Sequence, residues 1–356
     1  MFGTLKHKGL TLLIILSSLV VGCTSTNTEE SQEENDWRNI RGTTQGTTYS
    51  VILKDPNASV QKEALDSILH DFDMVLSTYI DSSRISQINN ANDSTTVIFD
   101  DPSEYFTTCF RTSSHISYLT EGAFDPTVFP LVKAWGFFKE DAPVPSQREI
   151  DSLLEFVGFG GDIHNGVFTG KRVSFTKQNP SFKLDFNAIA QGLSVDILAQ
   201  YLDDNGIKDY FLEIGGEIVV KGKNPENAKW RIGIDSPKQE KDKRVLDKII
   251  HVSNKAIATS GNYRKFYVKD GVKYSHTINP KTGKPVQHSL LSATVVANSC
   301  ADADAYATAF MVMGVDKAMQ FVKKHPELKL EIYLLYDDGK GNIKHKMSKG
   351  FKKYLK

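Results

Sequence analysis

Three cysteines in 356 residues are too few for a disulfide framework, and they sit in no spacing that marks a zinc site. Cys109 and Cys300 fall in separate predicted helices and read as core residues. Neither sign of charge is in excess. The chain has 43 Lys and Arg against 43 Asp and Glu, and removing residues 1–22, which carry only Lys6 and Lys8, leaves 41 against 43. No basic patch is strong enough to track phosphates, so a nucleic-acid partner is excluded. The lysines at the C-terminal end, Lys344, Lys346, Lys349, Lys352, Lys353 and Lys356, read as a solvated edge hairpin, where lysine discourages aggregation. There is no internal repeat and no GxGxxG phosphate loop, which removes solenoids, propellers and the common dinucleotide fingerprint. What remains, 40% hydrophobic and 24% charged, is the composition of an ordinary globular enzyme or binding protein.

The N-terminus has the layout of a signal peptide. Lys6, His7 and Lys8 precede an apolar run from Leu10 to Val21, which is too short for a comfortable membrane span. It ends in Gly22 before Cys23, as a bacterial lipoprotein cleavage site does. The expectation is therefore a signal peptide over 1–22, a lipidated Cys23, a polar tether over 23–36 and one globular domain over 37–356. Such a protein is exported and lipid-anchored to a bacterial membrane, with the periplasmic side expected.

The stretch with the most chemical content is CADADAYATAFMVMG, residues 300–314. Asp304 and Thr308 stand at i and i+4, on one face of a helix otherwise built from small and apolar residues. A buried carboxylate and hydroxyl need partners. A hard cation is one answer, since Mg²⁺ takes one or two protein carboxylates when a phosphorylated ligand supplies further oxygens. The alternative is an Asp near a helix start satisfied by backbone N–H groups, with Thr308 bonding back to the Asp304 carbonyl.

The rest of the chain frames that stretch. TTYSVIL (47–53) alternates as a strand, after a turn at Gln45 and Gly46. Apolar spacing predicts an amphipathic helix over 59–76, and a second helix spans 103–120 before a stop at Gly122. Tyr79 lies between them among small polar residues, where an aromatic could stack on a ring or simply join the core. GAFDPTVFPLVKAWGFF (122–138) reads as a rigid irregular loop with Asp125 as an acceptor. Ser146 and Glu149 make a capping box for a helix to about Phe156. Leu184 to Phe186 are expected to end a strand, with Asn187 as N-cap of a helix that stops at Gly206. That places Asp185 at a junction, with Gln191 and Gly192 one turn in, where helix N–H groups suit phosphate. Gly215 and Gly216 break two strands, Asp270 and Gly271 turn a hairpin, and His276 follows it before the rigid turn INPKTGKP. His276 reads as a structural residue or as an acid or base at neutral pH.

Taken in order, TTQGTTYS, STYIDSSRISQIN, GAFDPTVFPLVKAWGF, LDFNAIAQGLSVD, the GGE at 215–217, ATSGNYRKF, YSHTINPKTGKP and ADADAYATAFMVMG resemble the FAD:protein FMN transferases, also called ApbE-type flavin transferases. The resemblance implies an α+β fold of mixed, mostly antiparallel sheets with packed helices. It implies FAD in a cleft with Mg²⁺ at its pyrophosphate, and transfer of FMN to a Thr or Ser hydroxyl of an acceptor protein with release of AMP. That acceptor is external, and a membrane-associated redox protein is expected. Carried across by position, Asp304 and Thr308 match metal-holding side chains, and Ala188 matches a third ligand that here can offer only its backbone carbonyl. Gln45, Tyr79, Ala123, Phe124, Asp125, Asp185, Gln191 and Ile278 match flavin or nucleotide contacts, with His276 beside them. His276 and Asp185 are the candidates to accept the proton of the incoming hydroxyl. The sequence departs from the family pattern at Gln45, where Met is usual, at Asn187 and Gln191, and at Ala307, where some members carry an acid. Two further activities fit the same residues: an FAD pyrophosphatase giving FMN and AMP, and a flavin-binding lipoprotein without catalysis.

Overall fold

Strict alternation along Trp37–Thr44 (β1) and Thr47–Lys54 (β2) folds the first described segment into a hairpin, with Trp37 opposite Lys54 and Thr44 opposite Thr47. Tyr49, Val51 and Leu53 form its buried face. This is a computed structural model that describes residues 36–92, 95–136, 144–159, 164–238, 245–262, 266–269, 272–275 and 277–355, all within one compact unit, Asn35–Lys356. The expected signal peptide and the tether up to residue 35, Cys23 included, lie outside the described residues, as do His276 and the Asp270–Gly271 turn.

The helix expected over 59–76 is Lys62–Leu76 (α1), burying Leu65, Leu69, Phe72 and Leu76. Ser83 caps a short helix, Arg84–Asn90 (α2), through a bond from the Ser86 N–H. Strand Thr96–Asp100 (β3) leads to Tyr105–Leu119 (α3). The 122–138 segment is less irregular than expected. Phe129–Trp135 is a helix (α4), with Pro130 in its first turn, where the missing N–H costs nothing, and Gly136 closing it at φ 66°. Of the expected capping box the N-cap half is present: Ser146 Oγ accepts from the Glu149 N–H at 3.2 Å and starts Gln147–Leu154 (α5). His164–Thr169 (β4) and Arg172–Lys177 (β5) join β3 in a small sheet of order β3, β5, β4. Phe106 and Phe110 of α3 pack on Phe175 of that sheet.

Leu184 to Phe186 do not form a strand and Asn187 is not the N-cap. The apolar alternation there reflects burial of Leu184 and Phe186 without a ladder partner. Asn187 instead heads a turn, its N–H donating to Asp185 Oδ1 at 2.8 Å, and the helix begins three residues later as Ala190–Asp204 (α6). Tyr210–Ile214 (β6) and Glu217–Lys221 (β7) are joined by Gly215 and Gly216 at φ 63° and 116°, conformations that favour glycine. Trp230–Asp235 (β8) pairs with Leu246–Val252 (β9). Then follow Lys255–Gly261 (β10), the pairs Phe266–Lys269 (β11) with Val272–Ser275 (β12) and Ile278–Asn279 (β13) with Lys284–Pro285 (β14), and Leu290–Ala297 (β15). Cys300–Met313 (α7), Val315–Lys324 (α8), Glu331–Asp337 (β16) and Ile343–Met347 (β17) complete the order.

The main sheet runs β1, β2, β6, β7, β10, β15, β16, β17, antiparallel at every pairing. One face carries α6 and α7, and the other is covered by the β8 and β9 hairpin and by a 3-10 turn over Lys349–Tyr354. This is the α+β arrangement expected, although Lys349, Lys352 and Lys353 belong to that turn and not to the edge hairpin, and Lys356 lies outside the described residues. α7 lies against β10, β15, α6 and α3, and Phe310 and Met311 are fully buried, each worth about 1.5–3 kcal/mol. Cys109 and Cys300 are buried and free, as expected. Among the described residues no helix is long and apolar enough to cross a membrane.

Candidate active site

The start of α7 is fixed before its functional residues come into play. Ser299 caps it through the Asp302 N–H, and Asp196 of α6 accepts from Ser299 Oγ at 2.8 Å, the Cys300 N–H at 2.7 Å and the Ala301 N–H at 2.9 Å. With those N–H groups occupied, Asp304 does not turn back on its own helix. Its Oδ2 accepts from the Gly192 N–H in the first turn of α6, at 3.1 Å. Thr308, one turn on, reaches the sheet, with its Oγ1 3.3 Å from Ser260 Oγ on β10. The two segments that the sequence marks, 184–192 and 304–308, therefore meet.

Because the Gly192 N–H is directed at Asp304, it is not spent on the carbonyl four residues back. The Ala188 carbonyl takes no backbone hydrogen bond among the described residues. Its oxygen is left open at the junction where the sequence expects a ligand.

Gln45 enters from the β1 and β2 turn. It holds φ 52°, a conformation uncommon without glycine, beside Gly46 at 72°. Ser194 Oγ lies 3.4 Å from Gln45 Oε1 and donates to the Gln191 carbonyl at 2.7 Å. Gln45 Nε2 is buried, and the Gln45 side chain lies close enough to Asp73 to pull that carboxyl down against its burial. Gln191 lies over Gly215, where a Cβ would come within 2.7 Å of its Nε2. Gln45, Gln191, Gly192, Asp304 and Thr308 thus form one group.

Glu217, quoted in the GGE motif but given no role, belongs beside them. It is 8% exposed, and its Oε2 has no hydrogen-bond partner. Burial and then the Asp304 charge push its carboxyl well above the usual range. Burial likewise pushes Asp304 up to about 7, against the pull of the Gly192 N–H. Two buried carboxylates facing each other are costly unless a cation or proton offsets them. Among the described residues no three His, Cys, Asp or Glu side chains converge as a metal group. The donors at hand are instead the Asp304 carboxylate, the Thr308 hydroxyl and the Ala188 carbonyl, with the Glu217 carboxylate beside them. These are hard oxygens, and they fit Mg²⁺ with substrate phosphate or water filling the remaining positions.

The other expected contacts divide. Asp185 is tied to the 122–128 segment, since its N–H donates to the Pro126 carbonyl at 2.7 Å. Burial raises its carboxyl while the Asn187 N–H and side chain hold it down. Tyr79 lies within electrostatic reach of Asp185 and is 75% exposed, so it is a surface ring and not core. Asp125 is nearly buried, accepting from the Thr127 N–H and hydroxyl and from the Phe159 N–H. It lines a cleft with Gly122, Tyr118, Phe159 and Lys281 that neither Asp304 nor Glu217 borders. The side chains of Phe124 and Ile278 belong to buried apolar clusters, and Ala123 packs against the first of these. Ser194, Asp196, Glu217 and Ser260 were not singled out from sequence. The one signal that could have found Glu217 is an acid placed directly after a glycine pair.

A profile of the ApbE family matches residues 45–333. The FAD:protein FMN transferase of Vibrio cholerae is 35% identical over 351 residues, covering 96% of this chain and 98% of that protein. The protein of the same name from Escherichia coli K12 is 31% identical over 349 residues, covering 96% of each. The crystallised flavin transferase ApbE from Vibrio cholerae superposes with a TM-score of 0.77 at 33% identity, over 90% of this chain and 99% of that one. The apo flavinyl transferase ApbE of Pseudomonas stutzeri gives 0.76 at 29% identity, over 90% and 96%. On the profile match and these near full-length relatives, the chain belongs to the ApbE family.

Proposed function

We propose that this protein is an enzyme that transfers the FMN moiety of FAD to a Thr or Ser hydroxyl of an acceptor protein and releases AMP. The observation that carries this reading is the contact of the 184–192 junction with α7, through the Gly192 N–H and Asp304. The names of its relatives support the same reaction.

In the reaction the acceptor oxygen bonds to the FMN phosphorus as the bond from that phosphorus to the bridging oxygen breaks. AMP leaves with the electron pair, and the hydroxyl proton passes to a base. Little covalent work falls to the protein, so positioning and charge neutralisation dominate. Asp304 and Thr308, with the Ala188 carbonyl, would hold Mg²⁺. When bound there, the ion supplies charge neutralisation at the pyrophosphate oxygens. In the first turn of α6 the Ala190, Gly192 and Leu193 N–H groups are spent on Phe186, Asp304 and Ile189, which leaves the Gln191 N–H, among the described residues, for the same phosphates. Gln45 and Gln191 border the group. Tyr79 offers a free face to a flat ring. Asp185, raised by burial, and His276 are the two groups placed by sequence to take the proton. We further read residues 1–36 as export signal and tether, with Cys23 as the lipid anchor that keeps the domain near a membrane-associated redox acceptor.

The test is incubation with FAD, Mg²⁺ and a candidate acceptor. Covalent flavin fluorescence on the acceptor with stoichiometric AMP is expected. Free FMN and AMP alone would instead mark a pyrophosphatase, and intact FAD a carrier. An Asp304→Ala variant should lose at least a hundredfold in transfer, about 2.7 kcal/mol; undiminished transfer would remove the metal assignment.

A further inference from the structure

The sheet beneath α7 carries two oxygen side chains on its helix-facing side. In β7 and β10 the register sets Val219 opposite Ala256 and Ile218 opposite Ile257. Val219 and Ala256 pack with Val195, Leu198 and Cys300 on the helix side, while Val220 and Ile257 pack on the far side. Side chains alternate along a strand, so Glu217 shares the helix side with Val219. Ser260 shares it with Ala256, as its contact with Thr308 requires. Asp304 and Thr308 face this floor from above. Glu217 is nine-tenths buried, and of its two oxygens Oε2 meets no donor among the described residues. A buried carboxylate oxygen is almost always satisfied, and one left open at a site built of oxygens points to a ligand that completes it.

We propose that Glu217 is a positioning residue for the bound cation, accepting through Oε2 from a water molecule that the cation carries and so setting its affinity from the sheet side. This rests on the reading of Asp304 and Thr308 as the side chains that hold the ion. Mg²⁺ keeps several of its waters, and groups that fix such waters tune affinity without touching the metal. The β6 and β7 turn fits this role, because the glycine pair delivers Glu217 to the first position of its strand.

The experiment uses Mn²⁺ as probe on the purified full chain, with free ion counted by electron paramagnetic resonance. Wild type, Glu217→Gln and Asp304→Asn are compared, and each is melted with and without Mg²⁺. Glu217→Gln is expected to weaken Mn²⁺ binding about ten- to a hundredfold and to shrink the rise in melting temperature that Mg²⁺ gives, without lowering the metal-free melting temperature. Asp304→Asn is expected to abolish binding. If Glu217→Gln binds Mn²⁺ as wild type does while Asp304→Asn does not, the inference is wrong and the cation reading stands. A Glu217→Gln change that lowers the metal-free melting temperature at unchanged affinity marks a structural glutamate and counts against it equally. Wild-type affinity in Asp304→Asn overturns both. If Glu217→Gln does not accumulate folded, Glu217→Asp is read the same way, and an affinity within about twofold of wild type, well short of the loss such a change brings, overturns the proposal.

Discussion

A Cβ on Gly192 would lie 2.4 Å from the carbonyl oxygen of Cys300 and 2.8 Å from Cβ of Asp304. Helices α6 and α7 therefore cross at a spacing that only glycine permits, and that crossing carries the hydrogen bond to Asp304. Gly192→Ala must push backbone against backbone, which does not yield as a flexible side chain would. We expect a loss of about 1–3 kcal/mol in denaturant unfolding, together with weakened Mn²⁺ binding because Asp304 is displaced. Wild-type stability in this variant would show that the helices can part freely.

Asp196, one turn after Gly192 on α6, joins the same two helices through three hydrogen bonds at the start of α7. Burial raises its carboxyl while those donors hold it down. Asp196→Ala leaves two backbone N–H groups and a hydroxyl unpaired, and should cost about 2–4 kcal/mol in urea melts. Asp196→Asn keeps one acceptor and should recover part of that.

Much of this arrangement is legible in the residues. The glycine pair at 215–216 announces its turn, the spacing of Asp304 and Thr308 announces a shared helix face, and the alternation of 47–53 announces a strand. Other features are hidden for physical reasons. Leu184, Asp185 and Phe186 alternate as a strand does, yet alternation encodes only which side chains are buried, and no neighbouring strand offers them a ladder. The α4 helix is masked by Pro130 and its aromatics, which suit a first turn as well as a loop. Glu217 escapes because an acid at a strand end is ordinarily solvated. Only its placement beneath α7 makes it unusual.

Lys177 offers a pH test of the fold. It is 1% exposed and donates to the carbonyls of Asn89 at 2.9 Å and Pro180 at 3.2 Å. Burial, and then the charge of Lys183, bring its ammonium down to about 8. Between that value and the ordinary lysine value near 10.4, the unfolded chain binds more protons than the folded one. Its contribution to stability should therefore rise with pH across that window and stay flat below about 8. Lys177→Met removes the slope. The measurement is the difference in unfolding free energy between wild type and variant from pH 7.5 to 9.5, and a difference that does not change across that range would refute the assignment.

Tyr79→Ala separates binding from folding. With the ring 75% exposed, stability should change by less than about 0.5 kcal/mol. If the ring stacks on the substrate, KM for FAD should rise about five- to tenfold, the equivalent of roughly 1 kcal/mol. An unchanged KM would leave Tyr79 without a role in FAD binding.

The Gln45 turn belongs to the first described hairpin, whereas Asp304 and Thr308 stand on a helix that packs on β15, whose partner β16 ends at Asp337. The sheet beneath them is completed by strands from both extremes of the chain. A chain cut short before α7 lacks Asp304 and Thr308 altogether, so the site closes only after most of the polypeptide has been made.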